Sequence, residues 1–138
     1  MHVPDFLHVA YRADLDILFG RWMRLVTQAE MQEGYQYLLE QAAAHSCQNW
    51  LLDARRRINT DKEGAQWMVQ SFVAGAAARL GGRLQLAYLL GPIMLRNQEA
   101  DAAFPPAAFF EGKPFCAERF IEEGEAIAWL QQHREAAV

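Results

Sequence analysis

Hydrophobic positions along this chain first alternate with polar ones, then recur at helical spacing, then gather into short unbroken runs. Each pattern predicts a different element. Phe6 to Arg12 carries β-formers in partial alternation. After a short Ala13-Asp14 break, Leu15 to Met23 places Leu15, Ile17 and Phe19 on one face and Asp16, Leu18, Gly20 and Trp22 on the other. The two segments read as a β-hairpin, with Gly20 marking either a bulge or a close backbone approach. The turn lacks an Asn-Gly pair, which leaves its type open.

Thr27, with Glu30 three residues on, forms a capping box for a helix that bears Met31, Tyr35, Leu38, Leu39 and Ala42 on one stripe and ends near His45. Trp50 to Leu52 is a short apolar run, fitting a central strand that ends in Asp53. A basic loop, Arg55 to Arg57, leads to a second helix from about Asp61 to Leu80, stopped by Gly81-Gly82. Leu84 to Leu90 predicts another central strand. Pro92 suits the first turn of a short helix through about Ala103. Phe104 to Pro114, with three prolines and three phenylalanines, is too broken for regular structure. Phe115 to Phe120 reads as a last strand and Glu122 to His133 as a closing helix, with Glu122, Glu123 and Glu125 at its positive end and His133 and Arg134 at its negative end. The order ββαβαβαβα predicts a single α/β domain over residues 1–138, with a mostly parallel five-stranded sheet and an N-terminal hairpin.

Composition narrows the classes. At 138 residues, 52% hydrophobic and with four tryptophans, the chain is long and apolar enough to fold around one core. A net charge of −4 argues against general nucleic-acid binding, and Arg55 to Arg57 alone is too short a cationic run to reverse that. Cys47 and Cys116 do not make a disulfide framework, and Cys116 reads as a small buried apolar residue in a strand. The N-terminus has neither the basic start nor the apolar run of a signal peptide, and no segment has the length of a membrane span. A cytoplasmic location is the expectation.

Three local patterns carry a resemblance: the hairpin feeding a helix, the Trp50-Leu51-Leu52-Asp53 strand end, and the closing run Arg119-Phe120-Ile121-Glu122-Glu123-Gly124-Glu125-Ala126-Ile127-Ala128-Trp129-Leu130. Together with the element order, they make the chain similar to the STAS/SpoIIAA-like superfamily over nearly its whole length. The resemblance implies a regulatory domain that works by binding a protein partner. In the anti-sigma-factor antagonists of that superfamily, a phosphorylatable serine follows the strand-ending aspartate. Here Ala54 and Arg55 follow Asp53, and the nearest hydroxyl is Thr60, whose plain reading is an N-cap. Other SpoIIAA-like proteins resemble lipid-carrier folds.

Two candidate surfaces emerge. Asp53, Arg55, Arg56, Arg57 and Thr60 lie where open α/β sheets meet ligands, at a strand's carboxyl end beside a helix N-terminus, and could hold an anion or a partner. The competing reading has Asp53 capping local N–H groups and the arginines solvated or paired. The second helix has no charged residue from Gly64 to Ala78. At about 100° per residue, Ala65, Met68, Val69, Phe72, Ala76 and Leu80 form its core stripe, while Trp67, Gln70, Ser71, Ala74 and Ala78 fall on the other side. An uncharged outer face there suits cover by a second copy or another regulatory protein, or by the chain's own Phe104–Pro114 loop with Phe109 and Phe110; the remaining alternative is a bare surface.

The expected function is therefore a non-enzymatic interaction or regulatory domain, homodimeric through the second helix and the Phe-rich loop. The alternative is a binding protein for an apolar or amphipathic small molecule, with an enclosed cavity under residues 104–114, helped by Met68, Tyr88 and Met94, and Arg55 or Arg56 on an acidic head group. No cofactor or metal is expected. His2, His8, His45 and His133 are scattered, and Ser46, Cys47 and Ser71 lack a nucleophile context. His8, on a strand near Asp16 across the hairpin, makes the one pair to check for catalysis.

Overall fold

In the computed structural model, residues 5–56, 67, 71–91 and 112–136 are described, and they form an α/β domain built on one five-stranded sheet. Strands β1 (Leu7–Arg12) and β2 (Ile17–Trp22) make the antiparallel hairpin, and β3 (Asn49–Asp53), β4 (Leu84–Leu89) and β5 (Phe115–Phe120) continue in parallel. The sheet order is β1-β2-β3-β4-β5. Helix α1 is Gln28–His45, α2 is Val73–Arg79 and α3 is Glu123–Ala136. The helix expected over residues 92–103 and the Phe-rich loop from 104 to 111 lie outside the described residues.

The alternation in β2 sorts the core into two layers. Leu18 and Trp22, with Trp50 and Leu52 of β3 and Leu84, Leu86 and Tyr88 of β4, pack under α1 and α2. Ile17 and Phe19, with Leu51, Ala87 and Leu89, pack under Ala126 and Leu130 of α3. β3 is central and every one of its residues is buried, as a strand covered on both faces must be.

Helix α1 begins as its sequence dictates. The Thr27 hydroxyl accepts from the Glu30 N–H at 3.1 Å, and the Glu30 carboxylate accepts from the Thr27 N–H at 3.0 Å, satisfying two of the orphan donors of a helix start. Hydrogen bonds from the Arg24 guanidinium and that N–H hold the Glu30 carboxyl down at about 2. The expected stripe from Met31 to Ala42 is buried, and Gly34 lies within it. An added Cβ at Gly34 would sit 2.5 Å from Cη2 of Trp22. Gly20 is no bulge, since the hairpin register runs through it unbroken. It is a close approach, with the Leu38 side chain 2.7 Å from where a Cβ would stand.

Candidate functional site

The carboxyl edge of the parallel strands ends in a closed ionic network. Arg21 on β2 is in register with Asp53 on β3, and period-2 alternation sends both side chains to the α3 side of the sheet. One guanidinium nitrogen of Arg21 donates to Asp53 Oδ2 at 2.8 Å and the other to Glu123 Oε1 at 2.7 Å. Arg55 folds back onto the same aspartate, donating from Nε to Oδ1 at 3.0 Å, from Nη2 to Oδ2 at 2.8 Å and from its backbone N–H to Oδ1 at 3.1 Å. The Asp53 side chain is only 9% exposed. Burial pushes its carboxyl pKa up, but the hydrogen bonds from Arg55 and Arg21 outweigh that and hold it below the ordinary aspartate range. Burial likewise opposes the Arg21 charge, and the bonds to Glu123 and Asp53 more than restore it.

This arrangement is built to hold a loop and a helix start. Two arginines face two carboxylates, so the network is balanced in charge, and Asp53 accepts four hydrogen bonds. Glu123 sits in the first turn of α3, where the helix dipole also favours its charge. Of the arginine run, Arg55 is committed to Asp53. Arg56 is exposed, with its Nη1 3.9 Å from Sδ of Met23. Arg57 and Thr60 lie outside the described residues. Three exposed apolar side chains mark the connections leaving this edge: Met23 and Leu25 after β2 and Ile121 after β5.

The second helix departs from its expected face assignment at one residue. Ser71, Ala74 and Ala78 are exposed, as the periodicity requires, and Gly75 joins them, while Phe72, Val73, Ala76, Ala77 and Leu80 are buried. Trp67, placed with the outer residues by a uniform 100° count, is instead half-buried and turned inward. Its ring stacks on Phe72, centroids 5.5 Å apart, and tilts against Tyr35 at 6.0 Å. The cause is a wider, π-type turn at Ser71 and Phe72. Such a turn adds a residue, rotates the residues before it relative to those after it, and brings positions five apart onto one face. Gln70, Phe109 and Phe110 lie outside the described residues.

His8 and Asp16, the one pair singled out across the hairpin, do not meet. His8 is in register with Arg21, far from the turn, and the Asp16 carboxylate accepts from the Tyr11 hydroxyl at 2.8 Å. Six full pairs between the strands put Leu7 opposite Trp22 and leave Asp16 in the turn, at φ 54°. Cys116 is half-buried, short of the full burial expected for it, and Cys47 is the enclosed thiol. Both are free.

Arg21 was missed by sequence reasoning, yet it left a signal. It shares a face with Ile17 and Phe19 in a strand that reads as covered, and a charge on such a face needs a partner. Glu123 was visible only as a helix-start acid, because nothing local ties it to residue 21.

Among the described residues, no three His, Cys, Asp or Glu side chains gather as metal ligands would, and no helix is long and apolar enough to cross a membrane. Set against family models, curated proteins and solved structures, the chain matches none of them.

Proposed function

We propose that this chain is a non-enzymatic interaction or regulatory domain that pairs with a second copy of itself through the outer face of α2. One observation carries the reading: Ala74, Gly75 and Ala78 of α2, with Ser71 in the π-type turn that leads into it, form an exposed face without a single charged side chain, opposite a buried one. A solvated helix face ordinarily carries Lys or Glu. Four small residues at i, i+3, i+4 and i+7 instead let another helix approach closely, since side-chain size at the contact sets the distance between helix axes. Arg79 bounds the face, tied to Glu40 of α1 by an ion pair that also anchors α2 to its neighbour.

The hairpin, the strand-ending Asp53 and the closing helix support reading the domain as STAS/SpoIIAA-like, a class that regulates by docking. The serine switch of anti-sigma-factor antagonists does not carry over, because Ala54 stands after Asp53.

The test is sedimentation velocity on wild type, Ala74→Glu and Ala78→Glu over a range of concentrations. Wild type sediments as a dimer. Either glutamate, which would be buried unpaired at the contact, raises the dissociation constant about 100-fold and leaves far-UV circular dichroism unchanged. A wild type that is monomeric throughout, or variants that dimerise as well as wild type, would overturn the proposal.

A further inference from the structure

β1 is an edge of the sheet, and among the described residues no strand pairs with its outer side. Which of its backbone groups face outward follows from one bond. The Met23 N–H donates to the Phe6 carbonyl at 2.8 Å, which makes Phe6 and Met23 a hydrogen-bonded pair of the antiparallel ladder. Bonded pairs alternate with non-bonded ones. In the register of the hairpin the bonded pairs are therefore His8 with Arg21, Ala10 with Phe19 and Arg12 with Ile17. Leu7, Val9 and Tyr11 are left with N–H and C=O groups that point away from β2.

Edge strands are ordinarily blunted by a proline, a lysine, a bulge or an inward charge, because a bare edge is a template for another strand. β1 uses none of these. It holds no proline or lysine, and its register with β2 is unbroken. Leu7, Val9 and Tyr11, the residues with the outward groups, lay their side chains against the core under α1. The one arginine, Arg12, stands at the end of the strand and is paired with Asp14. The other edge strand, β5, carries Glu118 and Arg119 within its length.

We propose that β1 pairs with β1 of a second copy, antiparallel about a two-fold axis at Val9, so that the sheet continues from one molecule into the next. The match between strand and copy carries the choice of occupant. About that axis Val9 meets Val9 and Leu7 meets Tyr11, so every outward N–H and C=O of these residues finds a partner, and apolar side chains face apolar ones. On the other face the exposed His8 meets the exposed Ala10. An axis at Ala10 would set His8 against Arg12 and leave Leu7 beyond the end of the facing strand. An axis at His8 would set two imidazoles together and leave Tyr11 unmatched. A symmetric contact needs a patch that is its own complement, and only the Val9 axis gives one. The contact is independent of the α2 face, since α2 packs on β4 and β5 at the far side of the sheet. Its small area makes it the weaker of the two.

Amide hydrogen exchange is followed by NMR over a dilution series in the Ala74→Glu chain, which keeps any α2 contact out of the result. In concentrated protein the Leu7, Val9 and Tyr11 amides exchange at least about tenfold more slowly than in dilute protein. The His8, Ala10 and Arg12 amides, bonded to β2, stay protected throughout. Val9→Pro removes an outward N–H and no bond to β2, as an edge position allows. It abolishes the protection of Leu7 and Tyr11 at every concentration and keeps that of His8 and Arg12, which confirms the hairpin. The register is read from His8→Cys and Ala10→Cys, each in a Cys116→Ser background. Residues 8 and 10 form a non-bonded pair across the axis, with Cα atoms roughly 4.5 Å apart, within reach of a disulfide. Mild oxidation of the mixture gives the covalent heterodimer, and either variant alone gives none. Outward amides that exchange freely at every concentration, or that are protected independently of concentration, would overturn the pairing. Cross-linking of either variant alone as readily as the mixture would overturn the Val9 axis.

Discussion

Replacing Gly34 by alanine sets two known effects against each other inside α1. On helix propensity alone the change should stabilise by about 1 kcal/mol, because glycine is among the poorest residues in a helix interior. The packing says the reverse. The new methyl would lie 2.5 Å from Cη2 and 2.8 Å from Cζ3 of Trp22, and 3.3 Å from a Leu7 methyl. Carbon atoms at rest sit roughly 3.5–4.0 Å apart, so the indole must retreat by about 1 Å. It has little room to do so. Trp22 is 1% exposed, stacked on Phe6 at 6.2 Å and tilted on Tyr35 at 5.6 Å. Overpacking of this kind costs about 1–3 kcal/mol, and the strongest contact here is with a rigid ring, which places it at the upper end. After the propensity gain, the net loss is about 2 kcal/mol, a melting temperature lower by roughly 5–10 °C in a domain of this size. Urea unfolding followed by Trp fluorescence should show a lower midpoint with an unchanged slope. The control is Gly124→Ala in the first turn of α3, where an added Cβ meets nothing within 4 Å and stability should rise by about 0.5–1 kcal/mol. If Gly34→Ala proves as stable as wild type or more so, the close packing of α1 on Trp22 is misjudged.

The carboxyl-edge network should show itself in acid. Asp53→Asn costs about 1–3 kcal/mol at neutral pH, a range already reduced for the partial exposure of Arg21 and Arg55. Because the folded carboxyl titrates below its unfolded value, that difference from wild type is fully present above pH about 4 and shrinks as pH falls through the folded value. A gap that persists unchanged to pH about 2 would show that the charge is not what matters. Thr27→Ala removes the cap of α1 and costs about 1 kcal/mol in the same urea assay. In the wild type, the Thr27 amide resonance should titrate with Glu30 at about 2, and a midpoint in the ordinary glutamate range would mean the box is open in solution. Trp67→Ala should lower stability by about 1–3 kcal/mol while leaving self-association intact, because its ring stacks on Phe72 within the protomer. Loss of the dimer with stability unchanged would return Trp67 to the interface.

Local chemistry made most of the fold legible. The two faces of β2, the Thr27 cap, the fully covered β3 and the stop at Gly81-Gly82 all come from spacing or from one residue's conformational preference. What failed did so where one position depends on a distant one. The inward turn of Trp67 rests on an extra residue in the helix at Ser71 and Phe72, and a count that assumes a constant angle carries that error back along the helix. The Arg21–Asp53–Glu123 network joins residues from three separate elements, so only half of it could be read: the aspartate and its local arginine.

The sheet order has a consequence for how the chain comes into being. Each strand hydrogen-bonds to the one synthesised just before it, so the sheet grows in the direction of translation and never has to admit a later strand between two earlier ones. A nascent chain released as far as Asp53 already holds the hairpin, α1 and the central strand, and lacks only its far side. Sequential addition keeps the separation between pairing partners short, which favours fast folding. It also leaves one parallel edge unpaired at every stage of growth, exposed for the seconds that each further strand takes to emerge.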